Sequence, residues 1–243
     1  MVSQEIVAQL APGGVLRAGI NVGNFLLVTG RSAAGDPEGV APDMARRVAD
    51  LLGVPVRYVT YASPGELADA AGTGAWDIGL IGAEPQRAEK IRFSPAYCEI
   101  EATYLVPAGS PIAAVADADR AGTRIAVSAR TAYDLWLDRN IRHATLVKAD
   151  GLDAAFRRFL DEGCDAMAGL RPRLLTDAEA LPGARVLDGC FMSVQQAIGT
   201  ARANAAAAEF LHGFVEEAKA TGLVADLIAR HKVRGLSVAA PAG

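Results

Sequence analysis

Short apolar runs alternate with amphipathic segments along the chain, and polar or glycine-rich loops follow the apolar runs. The runs Gly14 to Ile20 and Val54 to Tyr61 predict β-strands, because apolar and β-branched residues cluster there between turn residues. Apolar residues recur at helical spacing from Pro42 to Leu52, which predicts a helix that ends at Gly53. Ser63 predicts the N-cap of another helix. This alternation indicates an α/β fold with mainly parallel sheets.

The second half of the chain repeats this order of elements. Strands are predicted at Ala102 to Val106, Gly122 to Val127 and Cys164 to Leu170, with amphipathic helices between them. The Pro/Gly cluster Pro107 to Pro111 marks a crossing between two lobes. We therefore expect lobe 1 to comprise residues 1–106 and 197–243 and lobe 2 residues 107–196, with crossings near 105–109 and 193–198. After Gly235 we expect a loose tail.

The most informative stretch for function runs from Trp76 to Arg87. Its apolar part, Ile78 to Ile81, predicts a buried strand that ends in a turn of small residues, Gly82 and Ala83. Backbone N–H groups left free at such a turn can face an anion. An arginine one turn later can add a two-pronged donor for a carboxylate. This pattern predicts one wall of a small-molecule cleft.

Other polar loops follow Ile20, Val127 and Leu170. Ligands of open α/β sheets bind beyond the carboxyl ends of the strands, so these loops are candidates for the same cleft. Gln195 and Gln196 interrupt an apolar strand, and one of them is expected to face the cleft.

Composition and charge narrow the classes of partner. The chain has 243 residues, 51% of them hydrophobic, and a formal net charge of -4, so nothing favours nucleic acid or an anionic membrane. No apolar run is long enough to predict membrane insertion. The three cysteines are widely spaced, which predicts buried free thiols. The three histidines show no spacing typical of metal ligands, so we expect no bound metal, and we expect no other cofactor. The N-terminus shows no signal-peptide pattern, which predicts a cytoplasmic protein if Met1 is the native start.

Several segments occur together in an informative order: Leu16-Arg17-Ala18-Gly19-Ile20, Gly39-Val40 with Asp43, Trp76-Asp77-Ile78, Arg87 six residues before Phe93-Ser94-Pro95-Ala96-Tyr97, and Gly122-Thr123-Arg124-Ile125-Ala126-Val127. Together they resemble the solute-binding proteins of amino-acid ABC importers, and the similarity covers about Val15 to Arg234. The arginine-to-phenylalanine element is the most specific of these. The resemblance implies a two-lobed periplasmic-binding-protein-like II fold that closes over a small carboxylate. It also implies a periplasmic location if a leader has been removed, a monomer, and an ABC permease as partner.

The resemblance also implies ligand-binding residues. Arg87 is expected to hold the ligand carboxylate, with backbone donors at Gly82 and Ala83 and a further contact from Glu84. The second-lobe loop is expected to complete the site. The full set of expected ligand-binding residues is Arg87, Gly82, Ala83, Glu84, Asn24, Ser128, Arg130, Thr131, Ala132, Tyr133, Arg171 and Gln195. For Ser128 and Thr131, a simple helix N-cap role remains open beside the ligand role.

The sequence departs from this family pattern at two places in the expected site. Asn24 stands where an aromatic residue often covers the ligand, with Phe25 beside it. Leu170 stands where a carboxylate usually receives the ligand's ammonium, and Arg171 and Arg173 follow it. A cationic neighbourhood would disfavour an ammonium and favour another anion, so the ligand is an amino acid or a related organic anion.

Two alternatives to a binding protein for import stay open. One is a dehydratase acting on prephenate or arogenate, since some relatives of this fold have that activity. Its acid would follow the strand that holds Asp165-Ala166-Met167, but Arg173 stands near that place, which leaves Glu84 or Glu99 as substitutes. The other alternative is a cytosolic ligand sensor. No hydrolase elbow, phosphate loop or metalloprotease motif is present.

Overall fold

The computed structural model describes residues 2–242, and its elements alternate between helix and strand as the sequence predicts. The chain divides into two compact units, unit 1 with Met1–Glu99 and Gln195–Gly243, and unit 2 with Ile100–Val194. The first division falls inside a long strand, Ile91–Val106, and not at the Pro/Gly cluster that follows it. The difference arises because the strand continues unbroken through residues 99 and 100, so no turn marks the change of unit.

The first part of the chain supplies most of unit 1. Its elements are α1 (Gln4–Leu10), β1 (Leu16–Asn21), β2 (Gly30–Arg31), β3 (Pro37–Glu38), α2 (Val40–Leu52), β4 (Val56–Tyr61), α3 (Pro64–Asp69), β5 (Ile78–Gly82), α4 (Pro85–Ala88) and β6 (Ile91–Val106). The predicted cap of α3 is confirmed, because the Ser63 hydroxyl accepts the N–H of Glu66 at 3.2 Å. Gly53 ends α2 in the left-handed conformation with a φ of 70°.

The rest of the chain forms unit 2 and then returns to unit 1. Its elements are β7 (Arg124–Ser128), α5 (Ala132–Asn140), β8 (Thr145–Ala149), α6 (Leu152–Asp161), β9 (Ala166–Leu170), α7 (Arg171–Glu179), β10 (Arg185–Val186), β11 (Met192–Ala201), α8 (Ala205–Ala220), α9 (Leu223–Arg230) and β12 (Ser237–Val238).

The two units share one strand pattern. In unit 1, β1 lies between β4 and β5 in parallel, and β11 is antiparallel to β5. In unit 2, β7 lies between β8 and β9 in parallel, and β6 is antiparallel to β9. The strands of each unit bury apolar side chains against the helices of that unit, for example Ile20 and Met44 in unit 1 and Val127 and Leu137 in unit 2.

The parallel registers fix where the polar loops emerge. Ile20 lies opposite Leu80, so the loops that follow β1 and β5 leave the same edge of the unit 1 sheet. Val127 lies opposite Ala168, so the loops that follow β7 and β9 do the same in unit 2. These edges are where an α/β sheet binds ligands.

Residues 236–242 contact β6 and α8 and do not form the loose tail that the sequence suggested. Ser237 and Val238 pair antiparallel with Glu99 and Cys98 of β6, and the Lys219 ammonium donates to the Ala240 carbonyl at 2.8 Å. The sequence after Gly235 is short and lacks periodicity, so its pairing with a distant strand left no local signal.

Gly39, at the N-terminal end of α2, is a position where only glycine fits. Its φ is 149°, and a Cβ there would lie 2.2 Å from the Leu27 carbonyl oxygen. We expect Gly39→Ala to lower the free energy of unfolding by about 3 kcal/mol, since both backbone strain and a clash result. Denaturant unfolding measures this. Gly53→Ala is the matched control, because its φ of 70° is strained but nothing lies within 4 Å of the added Cβ, so it should cost about 1 kcal/mol. Equal costs would contradict the clash.

Candidate functional site

Arg87 is a buried arginine on α4, the single helical turn that follows β5. Pro85 begins this helix at a position where its missing N–H costs nothing. The Arg87 side chain folds back over the turn, and its Nη1 donates to the Gly82 carbonyl oxygen at 2.8 Å. Only 6% of Arg87 is exposed. This bond fixes the guanidinium plane at the carboxyl end of β5, where it can serve a planar carboxylate.

The residues between β5 and Arg87 divide into two roles. The N–H of Ala83 donates to the Gln195 carbonyl oxygen at 2.7 Å, so it belongs to the sheet and does not face a ligand, which corrects its expected role as a backbone donor. Glu84 is buried and occupies the N-cap position of α4, where its own carbonyl accepts the Ala88 N–H at 2.9 Å. A ligand contact of Glu84 stays a prediction.

The loop after β1 brings Asn24 to the same edge of unit 1. The Asn24 side-chain oxygen accepts the N–H of Leu26 at 3.2 Å, and the Asn24 carbonyl accepts the N–H of Val28 at 2.9 Å. Asn24 therefore shapes the loop, as asparagines do in turns. Phe25, the next residue, has 40% of its surface exposed, and it is the large apolar side chain of this loop that a ligand could cover.

Gln195 lies on β11 beside the turn of Ala83. Its side-chain amide donates to the Glu99 carboxylate at 2.7 Å. From the sequence, Glu99 is a candidate only as an acid for the dehydratase alternative. Its pairing with a residue almost a hundred positions away could not be read from local spacing.

In unit 2, five of the expected residues lie between the end of β7 and the first turn of α5, namely Ser128, Arg130, Thr131, Ala132 and Tyr133. Thr131 is the N-cap of α5, because its hydroxyl accepts the N–H of Asp134 at 3.2 Å. The same hydroxyl donates to the Ser128 carbonyl at 2.9 Å. The N-cap role that the sequence left open is therefore present for Thr131, whose hydroxyl proton already has a partner. A ligand contact of this loop stays a prediction.

Arg130 and Tyr133 differ in exposure. Arg130 is exposed and has a φ of 60°, in the left-handed region. Tyr133 is buried, and burial raises the pKa of its hydroxyl to about 12, so it remains a protonated donor at neutral pH. Ala132 begins α5 and is also buried.

The two arginines at the start of α7 are paired with carboxylates. Arg171 donates through Nε to Glu101 at 2.6 Å and also binds the carbonyls of Leu187 and Gly189. Arg173 contacts Asp177 at 2.8 Å and Asp153 at 2.7 Å. The cationic neighbourhood that the sequence suggested is therefore corrected, since these carboxylates offset both charges. The contacts give Arg171 a structural role, and its part in ligand binding stays a prediction.

Asp177 makes the stability of unit 2 depend on pH. Its carboxyl is buried, and this burial raises its pKa above the ordinary value of 3.8 although Arg173 opposes the shift. Between the unfolded and the folded pKa the folded chain binds more protons than the unfolded chain, so stability falls as pH rises. We expect the free energy of unfolding of the wild type to fall relative to Asp177→Asn as the pH rises from about 4. Chemical unfolding at several pH values measures this, and a parallel pH dependence of the two proteins would contradict it.

The described residues hold no group of three histidine, cysteine or acidic side chains arranged for a metal ion. Cys98 and Cys164 are buried free thiols, as predicted, whereas Cys190 is exposed in the segment between β10 and β11. Among residues 2–242 no helix combines the length and apolar character needed to cross a membrane.

The fold and these two loop edges define the class of two-lobed, type-II periplasmic binding proteins. The family model described as bacterial extracellular solute-binding proteins, family 3, matches residues 24–233. The chain therefore belongs to this family, which confirms the resemblance seen in the sequence. The family consists mostly of binding proteins without enzymatic activity, and its description places its members outside the cytoplasm.

Solved structures support the fold. A solute receptor for L-cysteine of Neisseria gonorrhoeae superposes with a TM-score of 0.75 at 21% identity, covering 96% of both chains. An amino acid ABC transporter substrate-binding protein from Streptococcus pneumoniae, bound to L-arginine, gives a TM-score of 0.74 at 20% identity over 97% of this chain and 100% of that one.

A third similar structure bears on the dehydratase alternative. It is an ancestral amino acid-binding protein described as a precursor of cyclohexadienyl dehydratase, with a TM-score of 0.74, 21% identity and coverage of 92% of this chain and 97% of that one. That protein is described as binding amino acids, so the likeness does not favour the enzyme. No curated protein sequence matches the chain closely.

Proposed function

We propose that this protein binds an α-amino acid outside the cytoplasm and presents it to an ABC permease. The observation that carries the proposal is Arg87, buried at the carboxyl end of β5 with its guanidinium fixed by the Gly82 carbonyl. A buried, oriented guanidinium is suited to a carboxylate, which it can bind through two parallel hydrogen bonds.

The charge around α7 supports an amino acid over a purely anionic ligand. Arg171 and Arg173 contact three carboxylates, those of Glu101, Asp153 and Asp177. No surplus of positive charge therefore remains in this cluster to repel an ammonium group. The L-arginine and L-cysteine named for two similar structures belong to the same ligand class.

In unit 1, Asn24 and Phe25 are further candidate ligand contacts beside Arg87, because their loop leaves the same edge of the sheet as the turn after β5. In unit 2, taken by itself, the first turn of α5 offers the N–H groups of Ala132 and Tyr133, which lie at the positive end of the helix dipole.

The test is a thermal-shift screen of the standard amino acids, with dicarboxylates and aromatic acids as competing classes. We expect an amino acid to raise the melting temperature, because a ligand at a hundredfold excess over its Kd stabilises the folded state by about 2.7 kcal/mol. A shift with dicarboxylates and none with amino acids would overturn the ligand class.

We propose that the protein is not an enzyme. At the place where the dehydratase relatives are expected to hold an acid, Arg173 is engaged with Asp153 and Asp177. Incubation with prephenate or arogenate should therefore yield no aromatic product. Formation of such a product, lost on substitution of Glu84 or Glu99, would support the enzyme instead.

A further inference from the structure

We propose that Asp134 is the positioning residue of the unit 2 loop, fixing the backbone from Ser128 to Thr131 in the conformation that receives the ligand. This inference rests on the proposed function. It concerns a side chain that is itself only 1% exposed and so acts through its neighbours.

The first step concerns the backbone of Arg130. Its φ of 60° is a conformation that residues with a Cβ adopt rarely and at a cost. The Arg130 N–H donates to Asp134 Oδ2 at 2.7 Å. A hydrogen bond to a buried side-chain oxygen stabilises the turn by an amount comparable to such a cost. The carboxylate thus stabilises the turn that the arginine backbone alone would disfavour.

The second step is that this bond belongs to a closed set. The N–H of Asp134 donates back to the Thr131 hydroxyl, and that hydroxyl donates to the Ser128 carbonyl. Asp134 therefore binds the loop twice, once through its side chain and once through its backbone. The end of β7, the turn and the first turn of α5 are held as one piece.

The third step concerns what holds Asp134. Lys148, at the end of β8, has its ammonium 3.0 Å from Asp134 Oδ1 and 2.6 Å from Asp138. The neighbouring Ala149 carbonyl accepts the N–H of Ala129 at 2.9 Å. The buried carboxylate is thus fixed from β8 as well, through the oxygen that does not bind the Arg130 N–H. A binding group supported in this way is pre-organised before the ligand arrives.

The chain offers a matched series of variants. Asp134→Ala removes the acceptor for the Arg130 N–H, whereas Asp134→Asn keeps an acceptor oxygen without the charge. Asp138→Ala removes the other carboxylate that contacts Lys148. The Asp138 side chain is 43% exposed, and its removal leaves the hydrogen bonds of the loop unchanged. Affinity is measured by isothermal titration, well below the melting temperature, with the standard amino acid that binds most tightly. Amide hydrogen exchange of residues 128–131 is measured without ligand.

We expect Asp134→Ala to weaken binding about tenfold or more, Asp134→Asn to restore most of the affinity, and Asp138→Ala to stay within about twofold of the wild type. The Arg130 amide should lose its exchange protection in Asp134→Ala alone. If Asp134→Ala does not fold, Arg130→Gly provides the second test. Glycine adopts a φ of 60° freely, so Asp134→Ala should fold in the Arg130→Gly background and should lose less than tenfold in affinity relative to Arg130→Gly alone.

Equal affinities of Asp134→Ala and the wild type, or equal losses in the Asp134 and Asp138 variants, would overturn the inference. If Asp134→Asn lost as much affinity as Asp134→Ala, the effect would come from the ion pair with Lys148, and the inference would be overturned as well. If the wild type bound no amino acid, the proposed function would fail separately. Hydrogen exchange of the Arg130 amide would then be the remaining test of whether Asp134 positions the loop.

Discussion

Arg87→Ala is expected to abolish the rise in melting temperature that an amino acid produces, with a loss of affinity of about 100-fold or more. The guanidinium supplies charged donors at the carboxyl end of β5, and alanine leaves the ligand carboxylate without them. Isothermal titration gives the affinity, and thermal unfolding without ligand shows whether the variant is folded.

Two further variants locate this effect at the guanidinium. Arg92→Ala removes an exposed arginine five residues away, on β6, and should bind like the wild type. Arg87→Lys keeps a charge but loses the planar fork, so it should recover only part of the affinity. A thermal shift that survives in Arg87→Ala would refute the assignment of Arg87 to the ligand carboxylate.

Asp77→Ala is expected to lower the free energy of unfolding by about 3 kcal/mol. Asp77 is buried just before β5 and accepts both the N–H and the Nε of Arg17, each at 2.9 Å, and its other oxygen accepts Nη2 at 2.6 Å. Removing the carboxylate leaves these donors without their acceptor. Urea unfolding measures the loss.

Unit 2 contains a natural control for this variant. Asp165 stands before β9 as Asp77 stands before β5, and it accepts the N–H of Arg124 at 2.8 Å. It is exposed, however, and the Arg124 guanidinium binds Glu162 instead. Asp165→Ala should therefore cost about 1 kcal/mol. A cost as large as that of Asp77→Ala would show that the contact between the Arg17 guanidinium and the buried Asp77 carboxylate is not the cause.

Local patterns carried most of the prediction of the fold. The apolar run Ile78 to Ile81 became β5, the glycine at 53 ended α2, and Ser63 capped α3, because each of these features depends on neighbours within four residues. The placement of Arg87 one turn after a strand also followed from local order. The resemblance to a family then supplied the arrangement in two lobes.

Contacts between distant residues could not be predicted in this way. The partner of Arg171 is Glu101, seventy residues earlier, and the Ala83 N–H is taken by Gln195. These pairings decide whether a donor faces a ligand or the protein. Residue type and spacing therefore identify candidate binding groups, while only the sheet register shows which of them already have partners.

The exposure of Cys190 has a practical consequence. The other two cysteines are buried, so a thiol-reactive dye would label the native protein at one position in unit 2. Phe191, the next residue, packs against Tyr104 with ring centroids 4.8 Å apart and against Trp136 at 5.3 Å. A fluorophore at Cys190 would sit beside this aromatic group, where changes in quenching could report the addition of an amino acid without any engineered cysteine.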